Sequence, residues 1–428
     1  MHKYTVEAFT GSGSYGSVYV VKDKNNGERK AMKACKYMID NVCEIDVMMR
    51  VGCDSRYVIG TDEWYFSIPC DNPSMLGYIT YDLFIVMPLA SYNAREWMKI
   101  NYSNRIDIAW SVLCGVRYLA SMGIMHLDLT LSNVLIGGDV GVRVADLGMV
   151  GYGDARYGDH MVCMVSNTVF GRDLRPPEEC KRSSSEDRLR TIGMPQVIYS
   201  LGKIFNSLFR DLSDNTDASD LVAKMTQEEP SERIALADII SHPIFAKNEC
   251  TYAHSDVVRH HPIHNKCKVE IKNIRAITNA LLDVCATNNN SVEVFFLSYC
   301  IYRRLHGRSE KPVTSAYIIA CNILWQVESS TEYVCDEEDT VSTTDNVVKE
   351  AIQTLLQSGN PIYIPNVFTS CVSTLQLLQR HKLLYDPDYD SIDFAKMVAD
   401  TQFKESDIKY DSKYIPAKEY ARLLSHDI

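Results

Sequence analysis

The stretch His126-Leu127-Asp128-Leu129-Thr130-Leu131-Ser132-Asn133 decides how this chain is read. It follows an apolar helical run, Trp110 to Leu119, and precedes a strand-like Val134-Leu135-Ile136. Within it an Asp is followed, five positions on, by an Asn. That spacing suits a loop that aims one carboxylate at a hydroxyl nucleophile and one amide oxygen at a metal ion.

Outward from this loop the pattern extends in both directions. Downstream, a glycine turn at Gly137-Gly138 leads to Val142-Arg143-Val144-Ala145 and then Asp146-Leu147-Gly148. Upstream, the run from Ile106 through Tyr118 to Gly123 is an amphipathic helix with a glycine stop. Near the start, Tyr4 to Phe9 alternates like a strand and enters Gly11-Ser12-Gly13-Ser14-Tyr15-Gly16-Ser17-Val18, followed by strand-like Tyr19-Val20-Val21. Glycines let a backbone turn tightly and approach phosphates, and Val18 can lie on an adenine ring. Three glycines alone also make a plain hairpin. Asn25-Asn26-Gly27 is a turn signal, and Arg29 to Ala34 reads as the returning strand; a lysine there, Lys33, is ordinarily solvated. Val42 to Met49 has apolar residues at helical spacing, with Glu44 and Asp46 on different sides. Leu83 to Ala90 is a buried strand running into a turn. The connection before it, Asp62 to Tyr81, is longer than needed, and Pro69 to Pro73 reads as a surface loop insertion.

Bulk properties narrow the class. A chain of 428 residues is expected to hold two or three domains. Hydrophobic content of 46% and charged content of 23% are ordinary for a globular protein. A formal net charge of -11 argues against nonspecific binding to nucleic acid or anionic membrane. No apolar stretch reaches the roughly 18 residues a membrane helix needs, and Met1-His2-Lys3-Tyr4 has no apolar signal core. The 14 Cys are scattered, with no C-x-x-C pair, which reads as reduced intracellular thiols, cytoplasmic or nuclear. His260, His261, His264 and Cys267 lack a second ligand pair and read as a polar linker rather than a metal site.

In this order the motifs resemble those of eukaryotic protein kinases, over about residues 1 to 247. The expected fold class is therefore α+β: a bilobal kinase fold with a β-rich lobe at 1–90 and an α-rich lobe at 91–247. The resemblance implies that Gly11, Ser12, Gly13, Ser14, Tyr15, Gly16 and Val18 cover ATP, and that Lys33 holds its α- and β-phosphates. It implies that Glu44 pairs with Lys33, with Met87 as a bulky gatekeeper. Pro88 has no N–H, so Leu89 or Ala90 would supply adenine hydrogen bonds. Asp128 would orient the acceptor hydroxyl and take its proton late in transfer; Asn133 and Asp146 would hold Mg2+. Glu178, in Arg175-Pro176-Pro177-Glu178, would pair with Arg233, and Ser241 to Phe245 would close the domain.

Three departures qualify the likeness. Leu127 stands where the family has an Arg that pairs with an activation-segment phosphate, so Ser166 and Thr168 are not expected to be obligatory activating phosphosites by that route. Thr130 stands where serine/threonine kinases carry Lys; losing that charge could cost about 2 to 4 kcal/mol in the transition state. Val197 stands where an Asp braces the catalytic loop. Gly171, where serine/threonine kinases tend to have Thr, blurs the choice between a serine/threonine and a tyrosine acceptor, with serine/threonine favoured.

Beyond a polar linker at 248–268 the pattern turns helical. Expected helices are Val269 to Cys285, Val292 to Leu305 capped by Ser291, one from about Thr314 through Trp325, Asn346 to Leu356, and Asn366 to Gln379, with an acidic loop from Cys335 to Asp345. Arg275-Ala276-Ile277, the run Glu293 to Leu305 and Ile364-Pro365-Asn366 resemble a cyclin box, a five-helix all-α domain placed at 269–381, leaving a tail at 382–428. The lysine the cyclin family carries at the end of its third helix is not evident. A kinase joined to such a domain is similar to fusions encoded by some large DNA viruses. It implies a protein partner docked through the helical domain, or activation in cis at an effective concentration of about the mM range. Two function classes stay open: a MgATP-dependent kinase acting on a protein substrate, and a non-catalytic pseudokinase scaffold with a helical interaction domain.

Overall fold

The structure, a computed structural model, describes Lys3 to Asn248 with short gaps (among them 14–15, 77–80, 167–174 and 181–188) and, beyond them, Leu281 and residues 292–305, 308–309, 311–325 and 341–357. Two compact units make up the chain: Met1–Gly151 with Val165–Arg259, and Tyr152–Met164 with His260–Ile428.

The first unit begins with a five-stranded antiparallel sheet. Its strands are β1 (Tyr4–Gly13), β2 (Gly16–Asp23), β3 (Arg29–Cys35), β4 (Glu63–Tyr65) and β5 (Leu83–Pro88), in the order β1-β2-β3-β5-β4. The turn at Asn25-Asn26-Gly27 closes as its sequence implies: Gly27 adopts φ 75° and its N–H donates to the Asp23 carbonyl. Strand periodicity splits the sheet into two faces. Because Val18 pairs with Lys33, and Lys33 with Ile85, these side chains share one face. Tyr4, Val6, Tyr19, Val21, Met32, Ala34, Phe84 and Val86 form an apolar cluster with Cys70 and Leu76 from the long connection before β5. That connection, expected as a surface loop, is therefore partly core: Cys70 is fully buried. Between β3 and β4 lies α1 (Ile39–Val51), which carries Glu44. Asp46 is also buried and pairs with Arg50 one turn on, at 2.5 Å.

After β5 come β6 (Tyr92–Asn93), α2 (Ala94–Ile100) and α3 (Arg105–Ser121). Asn93 caps α2: its side chain accepts the Glu96 N–H, and Glu96 answers to the Asn93 N–H. The helix α3 ends where the glycine stop places it, with Met122 as its C-cap and Gly123 at φ 75°. Then follow β7 (Ile124–His126), β8 (Val134–Ile136), β9 (Val142–Val144) and β10 (Val150–Tyr152); β6, β8 and β9 form one small sheet and β7 with β10 another. The helices α4 (Pro177–Cys180), α5 (Met194–Leu208), α6 (Thr216–Met225) and α7 (Leu236–Ile239) follow among the described elements of the unit. The aromatic contacts Trp110–Phe245 and Phe205–Phe245 join α3, α5 and the 3-10 turn Pro243–Phe245 in one core.

In the second unit the described elements include α8 (Val292–Leu305), α9 (Pro312–Trp325) and α10 (Val341–Gln357). The helix α8 has the expected bounds. The acidic loop expected from Cys335 to Asp345 is overturned in its second half, since α10 already begins at Val341. Val348, Ala351, Ile352, Leu355 and Leu356 bury its apolar face, and that burial carries the polar Ser342-Thr343-Thr344-Asp345 into the helix with it. The expected helices over Val269–Cys285 and Asn366–Gln379, the histidine cluster and the tail lie outside the described residues, except for Leu281. No helix among the described residues is long and apolar enough to cross a membrane.

Candidate active site

Lys33 is the centre of the site. Strand geometry brings it to the inner face of β3, where it is 8% exposed rather than solvated. Its Nζ donates to Glu44 Oε2 at 2.6 Å and lies 3.4 Å from Asp146 Oδ1. Burial works to lower the lysine pKa, but the carboxylates of Glu44 and Asp146 outweigh it and hold the ammonium above the ordinary lysine range. Burial also pushes Glu44 upward from the usual carboxylate range, against the pull of Lys33. The lysine stays charged between the two carboxylates.

Asp146 arrives from the other side with an unusual backbone, φ 61° in a residue that is not glycine. Such a conformation persists only where neighbours over-determine it. The preceding Ala145 is clamped twice: its N–H donates to the Asn133 carbonyl at 2.8 Å, and its carbonyl accepts from His126 Nε2 at 3.0 Å. Val144 is held in turn by Tyr57 and Ile59, through Val144 N–H to Tyr57 O at 2.8 Å and Ile59 N–H to Val144 O at 2.7 Å. A Cβ on Gly115 would stand 2.8 Å from both Tyr57 O and Val144 Cγ2. Helix α3 can therefore approach this crossing only because residue 115 is glycine.

The catalytic-loop candidates form one network. Asn133 Nδ2 donates to the Asp128 backbone carbonyl at 2.8 Å and to Asp128 Oδ2 at 3.2 Å. This occupies the amide nitrogen and leaves the amide oxygen for a hard cation, so Asn133 and Asp146 fit the donor set Mg2+ takes. Thr130 Oγ1 accepts the Asn133 N–H at 3.2 Å, capping the short turn Leu131–Asn133. His126 is fully enclosed; with Nε2 donating to Ala145, Nδ1 accepts the Asp128 N–H at 3.2 Å. Burial lowers its pKa below the ordinary histidine value. Its bridging role was not read from the sequence. The available signal was a lone histidine set among Ile124, Met125 and Leu127, where a polar ring needs two partners.

The remaining candidates fall into two groups. Gly11, Ser12 and Gly13 lie at the β1 end of a hairpin whose last pair is Gly13–Gly16; Ser14 and Tyr15 lie outside the described residues. Gly16 has φ 148°, and a Cβ there would meet Ala34 O at 2.6 Å, so the hairpin rests hard on β3. Val18, Met87, Leu89 and Ala90 are half-buried, with Met87 paired to Ala31 on the Lys33 face. Farther off, Glu178 takes both terminal nitrogens of Arg233 at 2.7 Å each, and the guanidinium also lies 4.9 Å from the Tyr199 ring. The residues at the three departures are built in: Leu127 and Val197 are each 1% exposed, and Thr130 is a cap. Thr168 and Gly171 lie outside the described residues.

Residues 4–210 match the protein kinase domain family. Among relatives, the chain is 23% identical over 295 residues to human mitogen-activated protein kinase 13, covering 56% of this chain and 78% of that one. It is 25% identical over 284 residues to serine/threonine-protein kinase PLK4 of Drosophila ananassae and 26% over 282 to that of Drosophila grimshawi. The alignments with the fly proteins span 34% of their length and 58% and 57% of this chain. Sheet topology and the Lys33–Glu44–Asp146 arrangement agree with that match: over residues 4–210 this chain is similar to protein kinase domains, serine/threonine kinases among them.

Proposed function

We propose that this domain is catalytically competent and transfers the γ-phosphoryl group of ATP to a serine or threonine hydroxyl of a protein substrate. The observation that carries the reading is the buried Lys33 ammonium bridging Glu44 and Asp146. A scaffold that bound no nucleotide would have no use for so costly an arrangement of charge. On this reading Lys33 orients the phosphates, with the glycine hairpin above them and Leu89 or Ala90 hydrogen-bonding the adenine. Asp128 accepts a hydrogen bond from the substrate hydroxyl. As the new O–P bond forms and the bond to the β-phosphate oxygen breaks, the hydroxyl proton passes to Asp128. Mg2+, held by Asp146 and Asn133, would neutralise charge on the β- and γ-phosphates. Asn133 keeps Asp128 aimed through its two hydrogen bonds. Such a kinase works in the cytoplasm or nucleus, where thiols such as those of Cys35 and Cys70 stay reduced.

The helical region after residue 268 is, on the same reading, a cyclin-like domain that holds the Lys33–Glu44 pair in cis. Its support is the sequence likeness and the loss at Leu127 of the phosphate-dependent route to order. A chain ending at Asn248 is then expected to lose most activity; undiminished phosphorylation by it would refute activation in cis. The rival reading, a pseudokinase scaffold, rests on Leu127, Thr130 and Val197. The deciding measurement is phosphate transfer from MgATP to a generic basic protein, wild type beside Asp146→Ala. Equal rates would refute catalysis.

A further inference from the structure

The connection between β4 and β5 grips the glycine hairpin along its edge and across its outer face. On the edge, the Tyr4 N–H donates to Pro69 O at 3.1 Å and the Asp71 N–H to Tyr4 O at 3.2 Å, making a short parallel bridge at Cys70. One step on, the Asn72 side chain takes both backbone groups of Val6, accepting its N–H at 2.9 Å and donating to its carbonyl at 3.0 Å. An amide thus does for Val6 what a neighbouring strand would do. On the outer face, Tyr19 Oη donates to Leu76 O at 2.9 Å and Tyr81 Oη to Ser17 Oγ at 2.7 Å. Tyr81 also packs edge-on against Tyr19, ring centroids 6.5 Å apart.

The position of Ser17 gives these contacts a consequence. Ser17 directly follows Gly16, whose pairing with Gly13 closes the hairpin tip, and its neighbour Val18 lies on the Lys33 face. A hairpin that covers phosphates must lift for the product nucleotide to leave. Lifting this one strains the Tyr81–Ser17 bond first and the Asn72–Val6 pair behind it. We propose that Tyr81, acting through Ser17, is a positioning residue for the glycine hairpin, and that Tyr81 together with residues 69–76 forms a brace that slows release of ADP. The proposal rests on the nucleotide-binding reading above.

The test is stopped-flow displacement of a fluorescent ADP analogue from the full chain by excess ADP with Mg2+. Tyr81→Phe keeps the ring and removes only the donor. The analogue is expected to leave about fivefold faster, the worth of one net hydrogen bond. Ser17→Ala should give the same rise, and the double variant no more than either alone. Lys224→Ala, which breaks the exposed Lys224–Asp220 pair on α6, should leave the rate unchanged. An unchanged rate in Tyr81→Phe, additive effects in the double variant, or an equal rise in Lys224→Ala would overturn the brace. Failure of the wild type to bind the analogue would instead refute nucleotide binding itself.

Discussion

Replacing Leu127 by the arginine of the kinase pattern should destabilise this domain rather than activate it. Leu127 is 1% exposed, its N–H donates to the Met149 carbonyl at 3.0 Å, and Leu129 and Leu147 close by are equally buried. An arginine set among these buried aliphatic side chains loses its hydration, and a buried charge left uncompensated costs about 3–5 kcal/mol. For a domain of this size each kcal/mol moves the melting midpoint by about 2–4 °C. Leu127→Arg is therefore expected to melt roughly 6–20 °C lower, with phosphotransfer falling alongside. Leu127→Met, which conserves volume, should stay within about 1.5 kcal/mol of wild type. The assay is thermal unfolding of the full chain, paired with phosphate transfer before and after phosphatase treatment. A Leu127→Arg protein with an unchanged midpoint and a phosphatase-sensitive gain in activity would show that position 127 is only a vacated arginine site.

Other outcomes follow from the same geometry. His126 is buried neutral with its pKa lowered, so the folded state binds fewer protons than the unfolded chain, whose histidine titrates near 6.5. Stability should be full above that pH and decline as pH falls below it; unfolding midpoints of His126→Gln across pH 5 to 8, lacking this acid decline, would check it. Glu44→Gln should lower kcat/KM for MgATP by roughly a hundredfold, the cost of misplacing a reacting group by about 1 Å, and an unchanged value would refute the Lys33–Glu44 role. Glu178→Gln should cost about 2–3 kcal/mol in unfolding free energy, limited because Arg233 keeps the carbonyls of Pro195, Gln227 and Glu228. Thr130→Lys restores a transition-state charge worth about 2–4 kcal/mol but removes a cap worth about 1 kcal/mol. Single-turnover kinetics should show a net rise of roughly fivefold or more, and none if the missing charge is not limiting.

What could be read from the sequence was what local spacing encodes. Lys33 follows the glycines by one hairpin, and Glu44 follows Lys33 by the length of a turn and a first helical turn. The loop Asp128–Asn133 and the strand before Asp146 are likewise short-range patterns. Burial of the Lys33 ammonium was not legible, because a lysine in an alternating strand looks the same whether or not a helix closes over it. The clamp of Tyr57 and Ile59 on Val144 joins residues more than eighty positions apart through backbone groups, which leave no side-chain signature. The grip of Asn72 on Val6 spans 66 positions and hid inside a proline-flanked stretch that reads as surface. The early start of α10 at Val341 is a case of tertiary burial downstream overriding a polar, β-branched beginning.

The departures at Leu127, Thr130 and Val197 look like losses in the sequence and like substitutions of mechanism in the structure. Where an arginine and an aspartate would place charge behind the catalytic loop, this chain places two buried aliphatic side chains. The loop is ordered instead by hydrogen bonds within itself and to its neighbours: His126 to Ala145 and Asp128, Asn133 to Asp128, Thr130 to Asn133, and Leu127 to Met149. Among the described residues, the charged contacts at the site are those of Lys33 on β3, with Glu44 on α1 and with Asp146 behind the loop. Among the described residues, α1 and the glycine hairpin are therefore the elements through which a signal would reach the site, since displacing them would part Lys33 from Glu44 or lift the hairpin from β3.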